Sequence, residues 1–241
     1  MSSILYSVVL PAHNEAESIG RGVARVAAAI KGLPAELIVA EDGSRDGTLA
    51  AARKAARRFR NVRVFHFAGR LGRGGALNHA FSKARGKYVA YIDTDLSPDP
   101  MALASLFAAL GENDVVTGSR YAPGAIAKRD FSRLTASSVF NFIVQVLLGS
   151  RLRDHQCGLK AFRKKAVLEI CKRVESRGWF WDTEVLVLAQ KMGYRVVEVP
   201  IRWSEERFAG QSKVNFFRDS LRMLADIISM RLRLWKNGIA Y

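Results

Sequence analysis

The residues best suited to chemistry are Asp93 and Asp95, which follow the apolar run 88–92 (Tyr-Val-Ala-Tyr-Ile) with only Thr94 between them. A buried strand would deliver both carboxylates to the carboxyl edge of a sheet, where open α/β proteins place ligands. Hard oxygen ligands there suit Mg²⁺ or Mn²⁺ on a diphosphate, which points to a nucleotide site. An Asp-x-Asp triplet is common by itself, and helix capping is the competing use. Asp99 before Pro100 fits a cap with proline at the first helical position. Asp93 and Asp95 come too early to cap the same helix.

The elements that must position this pair are legible as alternating periods. Residues 4–10, 36–40, 62–67, 88–92 and 115–117 are β-rich runs. Residues 15–30, 46–58, 75–84 and 100–110 carry helical spacing. A run of βα units implies a parallel, doubly wound sheet, and the second half is expected to be helix-rich. Three further loops then fall at strand ends: 11–15 (Pro-Ala-His-Asn-Glu), 41–48 (Glu-Asp-Gly-Ser-Arg-Asp-Gly-Thr) and 118–120 (Gly-Ser-Arg). Each alone reads as a capped turn. Converging on the edge that carries Asp93 and Asp95, they offer carboxylates to a base or ribose and a cation to a phosphate. The Gly-rich segment 69–75 has neither the Lys-Ser/Thr of a P-loop nor a complete GxGxxG. Arg73, at a predicted helix start, remains suited to an anion.

Composition narrows the partners. Lys plus Arg number 38 against 22 Asp plus Glu, a formal net charge of +16 that favours polyanions: nucleic acid, nucleotide diphosphates or an anionic membrane. No zinc-finger spacing, stacking-aromatic RNA motif or recognition helix supports nucleic acid. Cys157 and Cys171 form no CxxC and the four histidines are scattered, so reduced structural thiols are expected. The N-terminal apolar run is too short for a signal or span, which predicts a cytoplasmic protein.

Together, the segments 11–15, 41–44, 93–95 and 118–120 resemble the signature set of family 2 glycosyltransferases. Segments 154–162 (Asp-His-Gln-Cys-Gly-Leu-Lys-Ala-Phe), 181–184 (Trp-Asp-Thr-Glu) and 210–213 (Gly-Gln-Ser-Lys) resemble its polyprenyl-phosphate branch, which includes dolichyl-phosphate β-glucosyltransferase and dolichyl-phosphate mannose synthase. The resemblance implies a single GT-A domain, Rossmann-like and doubly wound around a mainly parallel α/β sheet, with a C-terminal amphipathic helical appendage. Its parts would be a nucleotide-sugar half over 1–120, an acceptor half over 121–213 and the basic helix over 214–241. It further implies that Pro11, Glu15, Asp42, Arg73, Asp93 and Asp95 contact the nucleotide sugar, with Asp95 on the metal. Arg120, Arg133, Asp154, Gln156, Arg202, Ser212 and Lys213 would serve phosphate and acceptor. Asp182 and Glu184 are candidates to position sugar or acceptor, and Asp182 serves equally as a helix N-cap.

Under this resemblance a nucleotide-diphosphate sugar is the donor and a polyprenyl or dolichyl phosphate the acceptor. UDP-glucose is favoured, because Ser97 stands where mannose synthases commonly have glutamine. GDP-mannose, or a hydroxyl acceptor served by Asp182 or Glu184 as base, are the alternatives. A lipid acceptor implies peripheral attachment at the cytoplasmic face of a membrane, with a membrane-protein partner as a further candidate. Leu221, Leu224, Ile228, Leu232 and Trp235 repeat at helical spacing, with Arg218, Arg222, Ser229, Arg233 and Lys236 on the other side. That stripe suits either the protein's own core or a membrane interface. The run 139–148 is likewise too short to span and suits core or lipid.

Overall fold

The computed structural model describes residues 3–128, 131–204 and 216–236, with the side chains of 128, 131–133 and 216–221 also outside the description. The strands are β1 (Tyr6–Ala12), β2 (Ala35–Asp42), β3 (Val62–Phe67), β4 (Tyr88–Ile92), β5 (Val115–Ser119), β6 (Ile126–Lys128), β7 (Leu159–Arg163), β8 (Val196–Pro200) and β9 (Arg202–Ser204). The helices are α1 (Ile19–Ala29), α2 (Thr48–Ala56), α3 (Arg73–Lys83), α4 (Ala102–Ala109), α5 (Phe131–Leu148), α6 (Lys164–Cys171), α7 (Trp181–Lys191) and α8 (Phe216–Lys236).

Seven strands form one sheet in the order β3-β2-β1-β4-β7-β5-β8, and β6 and β9 form a small parallel pair. Neighbours in the large sheet run parallel except where β7 lies antiparallel between β4 and β5. Alternation divides the core. Val9, Ile38, Val89 and Tyr91 face one hydrophobic cluster with α3, α5, α6, α7 and α8. Val8, Leu10, Leu37, Ala90 and Ile92 face the other with α1, α2 and α4. With apolar layers on both faces, the central strands are almost wholly buried, as a covered parallel sheet requires.

The predicted βα run matches β1 to β5 and α1 to α4, with shifted ends. The helix expected from residue 15 starts at Ile19, because Asn14 lies at φ +53° and Glu15 closes a turn, its carbonyl accepting from Ser18 and Ile19 N–H. Asp99 does cap the turn leading into α4, its carboxylate accepting from Met101 N–H at 3.0 Å.

The antiparallel strand β7 departs from the expected parallel order. Leu159 pairs with Ile92, so β7 begins beside the end of β4 and brings the preceding loop 154–158 to the edge that carries Asp93. Its five residues are nearly all buried and carry too little period to separate strand from helix. The large sheet therefore draws strands from both sides of residue 120.

The helix α8 is amphipathic in an unexpected sense. Among the described side chains of α8, Ile227, Met230 and Leu234 are buried and join the core, while Leu224, Ile228, Leu232 and Trp235 of the predicted stripe stay exposed, Trp235 at 70%. On α5, Val144 and Leu148 are buried and Val139, Phe142 and Val146 are exposed.

Candidate active site around the acidic turn

The order β3-β2-β1-β4 reverses direction between β1 and β4, the crevice where open α/β sheets hold ligands. Thr94 spans that crevice, its hydroxyl donating to the Pro11 carbonyl at 2.6 Å. The chain turns sharply after β4. Leu96 N–H donates to the Asp93 carbonyl at 3.0 Å, and Leu96 sits at φ +51°, a left-handed conformation that an ordinary side chain adopts only at an energetic cost. This turn leaves Asp95 exposed, its carboxylate accepting from the Ser97 N–H and hydroxyl, each at 3.0 Å.

Asp93 points inward and is held from two sides. Its backbone N–H donates to the Gly158 carbonyl at 2.9 Å, and its carboxylate accepts from Arg73 Nη2 at 2.5 Å. A Cβ on residue 158 would stand 1.9 Å from Asp93 Oδ2, so only glycine fits there. Burial, opposed by Arg73 and reinforced by Asp95 and Asp182, pushes the Asp93 carboxyl up to about 6.

Arg73 opens α3, as expected of an anion-binding position, but its anions are the protein's own. Besides Asp93 it donates through Nη1 to Asp182, and its guanidinium lies 4.9 Å from the Tyr91 ring centre and 5.2 Å from that of Trp179. Burial opposes its charge, yet Asp182 and Asp93 hold its pKa well above the usual value. The surrounding glycines serve packing. Gly74 N–H donates to the Arg177 carbonyl at 2.9 Å, and a Cβ on Gly74 would meet the Trp181 indole at 2.4 Å.

Asp182 lies inside α7, whose N-cap is Phe180, so the capping alternative does not hold. Its other oxygen accepts from Lys160 Nζ at 2.8 Å and from the Tyr91 hydroxyl. Lys160 is completely buried and also donates to the Cys157 carbonyl at 2.7 Å. Glu184 does not reach this cluster. Two residues along a helix point to nearly opposite sides, and Glu184 accepts instead from the backbone N–H groups of Glu175 and Ser176 and from Arg233 of α8. It ties the 175–176 loop to the C-terminal helix.

Among the residues expected at the nucleotide sugar, Asp42 is buried and accepts from Leu71 N–H at 2.6 Å, which fastens the loop before α3 over the end of β2. Glu41 beside it accepts from Ser44 N–H at 2.6 Å and pairs with His66 at 2.5 Å; these bonds outweigh burial and lower its pKa. Glu15 is half-buried, takes the Ser18 hydroxyl at 2.5 Å, and donates its N–H to the Thr48 hydroxyl at 2.7 Å.

Of the residues expected to serve phosphate and acceptor, Arg120 and Asp154 meet each other. Arg120 Nε and Nη2 donate to the two Asp154 oxygens at 2.8 and 2.7 Å, and the Arg120 N–H donates to Oδ2 at 2.9 Å. Both side chains are almost inaccessible. The pair is a buried bidentate strut, so the Arg120 charge is already balanced inside the protein. Gln156 donates to the Thr183 hydroxyl at 2.6 Å. Arg202 is exposed on β9, and its carbonyl accepts from Asp99 N–H at 3.0 Å, which brings β9 to the segment after the acidic turn. The Arg133 side chain, Ser212 and Lys213 lie outside the described residues.

The fold thus unites Asp93, Arg73 and Asp182 directly and sets Asp95 and Pro11 beside them. Sequence reasoning gave no role to Lys160, Tyr91, Thr94 or Gly158. The signal for Lys160 was a lysine inside an apolar run, which demands a buried anion. Among the described residues no three His, Cys, Asp or Glu side chains gather as a metal-holding group. The exposed Asp95 carboxylate fits a hard divalent cation whose remaining ligands come from a diphosphate and water.

A carboxylate-lined crevice at the switch point of a mainly parallel sheet defines an α/β protein built to take a polar ligand at its strand ends. This chain belongs to Glycosyl transferase family 2, whose model matches residues 7–171. Glycosyltransferase AglD of Haloferax volcanii is 44% identical over 95% of the chain, and the chain spans 36% of that protein's length. Dolichyl-phosphate beta-glucosyltransferase of Dictyostelium discoideum is 31% identical over 83% of the chain and 65% of its own length. Among solved structures, glucosyl-3-phosphoglycerate synthase from Mycobacterium tuberculosis, in complex with Mn²⁺, UDP and phosphoglyceric acid, has a TM-score of 0.68. It is 22% identical, covering 98% of this chain and 80% of its own, a likeness that shows the fold.

Proposed function

We propose that this protein transfers a hexose, with UDP-glucose as the favoured donor, to a polyprenyl or dolichyl phosphate with inversion at the anomeric carbon. The observation that carries the reading is that each oxygen of Asp182 and of Glu184 already has a partner. Neither is free to take a proton from a hydroxyl acceptor, which disfavours that alternative. A lipid monophosphate needs no such base, because its second pKa of about 6 leaves it largely dianionic near neutral pH. A phosphate oxygen then attacks the anomeric carbon while the bond to the nucleotide diphosphate breaks and its electron pair leaves with the β-phosphate. The chain's contribution is placement: Asp93, locked by Arg73, faces the donor, and Glu15 and Asp42 border the base and ribose. A bound Mg²⁺ or Mn²⁺, held through Asp95, would supply charge for the departing diphosphate. Ser97, bonded to Asp95, supports UDP-glucose over GDP-mannose by the same departure from the mannose synthases noted in the sequence.

Membrane access is supported by the exposed apolar stripes of α5 and α8, helices that pack on each other. Among the described residues no helix is long and apolar enough to cross a membrane. We place the chain peripherally, at the cytoplasmic face. The test is to incubate purified protein with labelled UDP-glucose or GDP-mannose, a polyprenyl phosphate or phosphoglycerate, with and without EDTA, and to count label in each phase. The expected result is metal-dependent label in the organic phase from one donor, reduced about 10²-fold or more in Asp95→Ala. Label confined to a water-soluble acceptor would overturn the reading.

A further inference from the structure

We infer that Lys160 is a positioning residue for the donor site, acting through Asp182 on Arg73 and thereby on Asp93. The inference rests on the donor-site reading above and assigns the lysine a role within it. Four charges alternate in an unbroken chain: Lys160 Nζ lies 2.8 Å from Asp182, Asp182 bonds Arg73, and Arg73 lies 2.5 Å from Asp93. The series begins on β7 in the middle of the sheet, passes through the first turn of α7 and the first residue of α3, and ends on the turn after β4. Lys160 is completely buried, so it cannot touch a ligand; whatever it does to the site it does through these neighbours.

The geometry gives it a definite task. Asp182 faces a guanidinium with one oxygen and an ammonium with the other, and the Tyr91 hydroxyl, 3.0 Å from Lys160 Nζ, closes the triangle on the ammonium side. An aspartate so gripped has one available rotamer, and that rotamer fixes where Arg73 presents its second nitrogen to Asp93. Removing the lysine leaves the carboxylate with a single cationic partner and lets it swing with Arg73. A fold-only role would leave donor affinity intact in whatever protein remains folded, whereas a positioning role would not.

The experiment measures UDP-glucose binding in the presence of Mn²⁺ by calorimetry, together with donor KM and kcat, for wild type, Lys160→Met, Asp182→Asn and the double variant. Wild type that binds no nucleotide sugar overturns the functional reading itself and this inference with it. Given wild-type binding, Lys160→Met is expected to weaken donor affinity and raise donor KM about 10-fold or more, as loss of an outer partner does at other preorganised sites. The double variant is expected to lose little beyond Asp182→Asn alone, because both act on one contact. Unchanged donor affinity with lowered kcat, or losses that multiply in the double variant, would overturn the inference. If Lys160→Met does not fold, Tyr91→Phe removes one hydroxyl from the same triangle. A donor KM several-fold higher is then expected, and an unchanged one would overturn the proposal.

Discussion

Single side chains at this site are constrained from directions that no local motif reveals. Asp93 and Asp95 could be found in the sequence because they end an apolar run, but that Asp93 needs a glycine opposite it could not, since Gly158 arrives from the loop before β7, far along the chain. Gly158→Ala is therefore expected to raise donor KM about 10-fold or more by displacing that carboxylate, measured in the transfer assay. Arg120 was legible as a cation, but its bidentate pairing was not, because its partner Asp154 is equally remote. Arg120→Met should destabilise the protein by about 3–5 kcal/mol in denaturant unfolding, since it strands a buried carboxylate. His155, buried between Asn141 and Ser150, has its pKa pushed down to about 4, chiefly by burial. The unfolded chain thus binds a proton between about pH 6.5 and 4 that the folded ring refuses, so stability falls as pH drops through that window, by up to about 3 kcal/mol. Thermal melts from pH 7 to 4 should show this slope, and His155→Gln should flatten it.

Elements are more predictable than their faces. Alternation and helical spacing located β1 to β5 and α1 to α4 within a few residues, because each buries a full strand or a clear stripe. The antiparallel β7 escaped, being only five residues long, nearly all buried, and too short to show a period. The α8 stripe was found, with core and membrane interface both left open as its surroundings. Two apolar rows run along this helix, and hydropathy cannot say which one the core selects. The structure separates them, and so should mutation. Met230→Ala, on the inward row, should cost about 2–5 kcal/mol. The triple change Ile228→Ser, Leu232→Ser, Trp235→Ser, on the outward row, should shift stability little while abolishing flotation with vesicles containing anionic lipid. Retained flotation would move the contact elsewhere.

At the scale of the molecule, charge and fold act together. The formal charge of +16 is carried mostly by exposed lysines and arginines among the described residues. They are thus available to an anionic surface, while Arg73, Lys160 and Arg120 are taken up internally. Vesicle binding should accordingly weaken between about 0.05 and 0.5 M salt, whereas donor binding at the metal-assisted site should change much less. Titration of both on one preparation checks the difference.

The inverted strand at the centre of the sheet also governs how the chain can be made. Until β7 is synthesised, β4 and β5 each present an open edge where a partner belongs, and the floor beneath the acidic turn is missing. A ribosome adding about 5–20 residues per second would expose those edges for several seconds before closure. Nascent chains stalled with residues up to Ser119 outside the ribosome should therefore recruit chaperones and resist native-like protection from protease, and release of the full chain should end both.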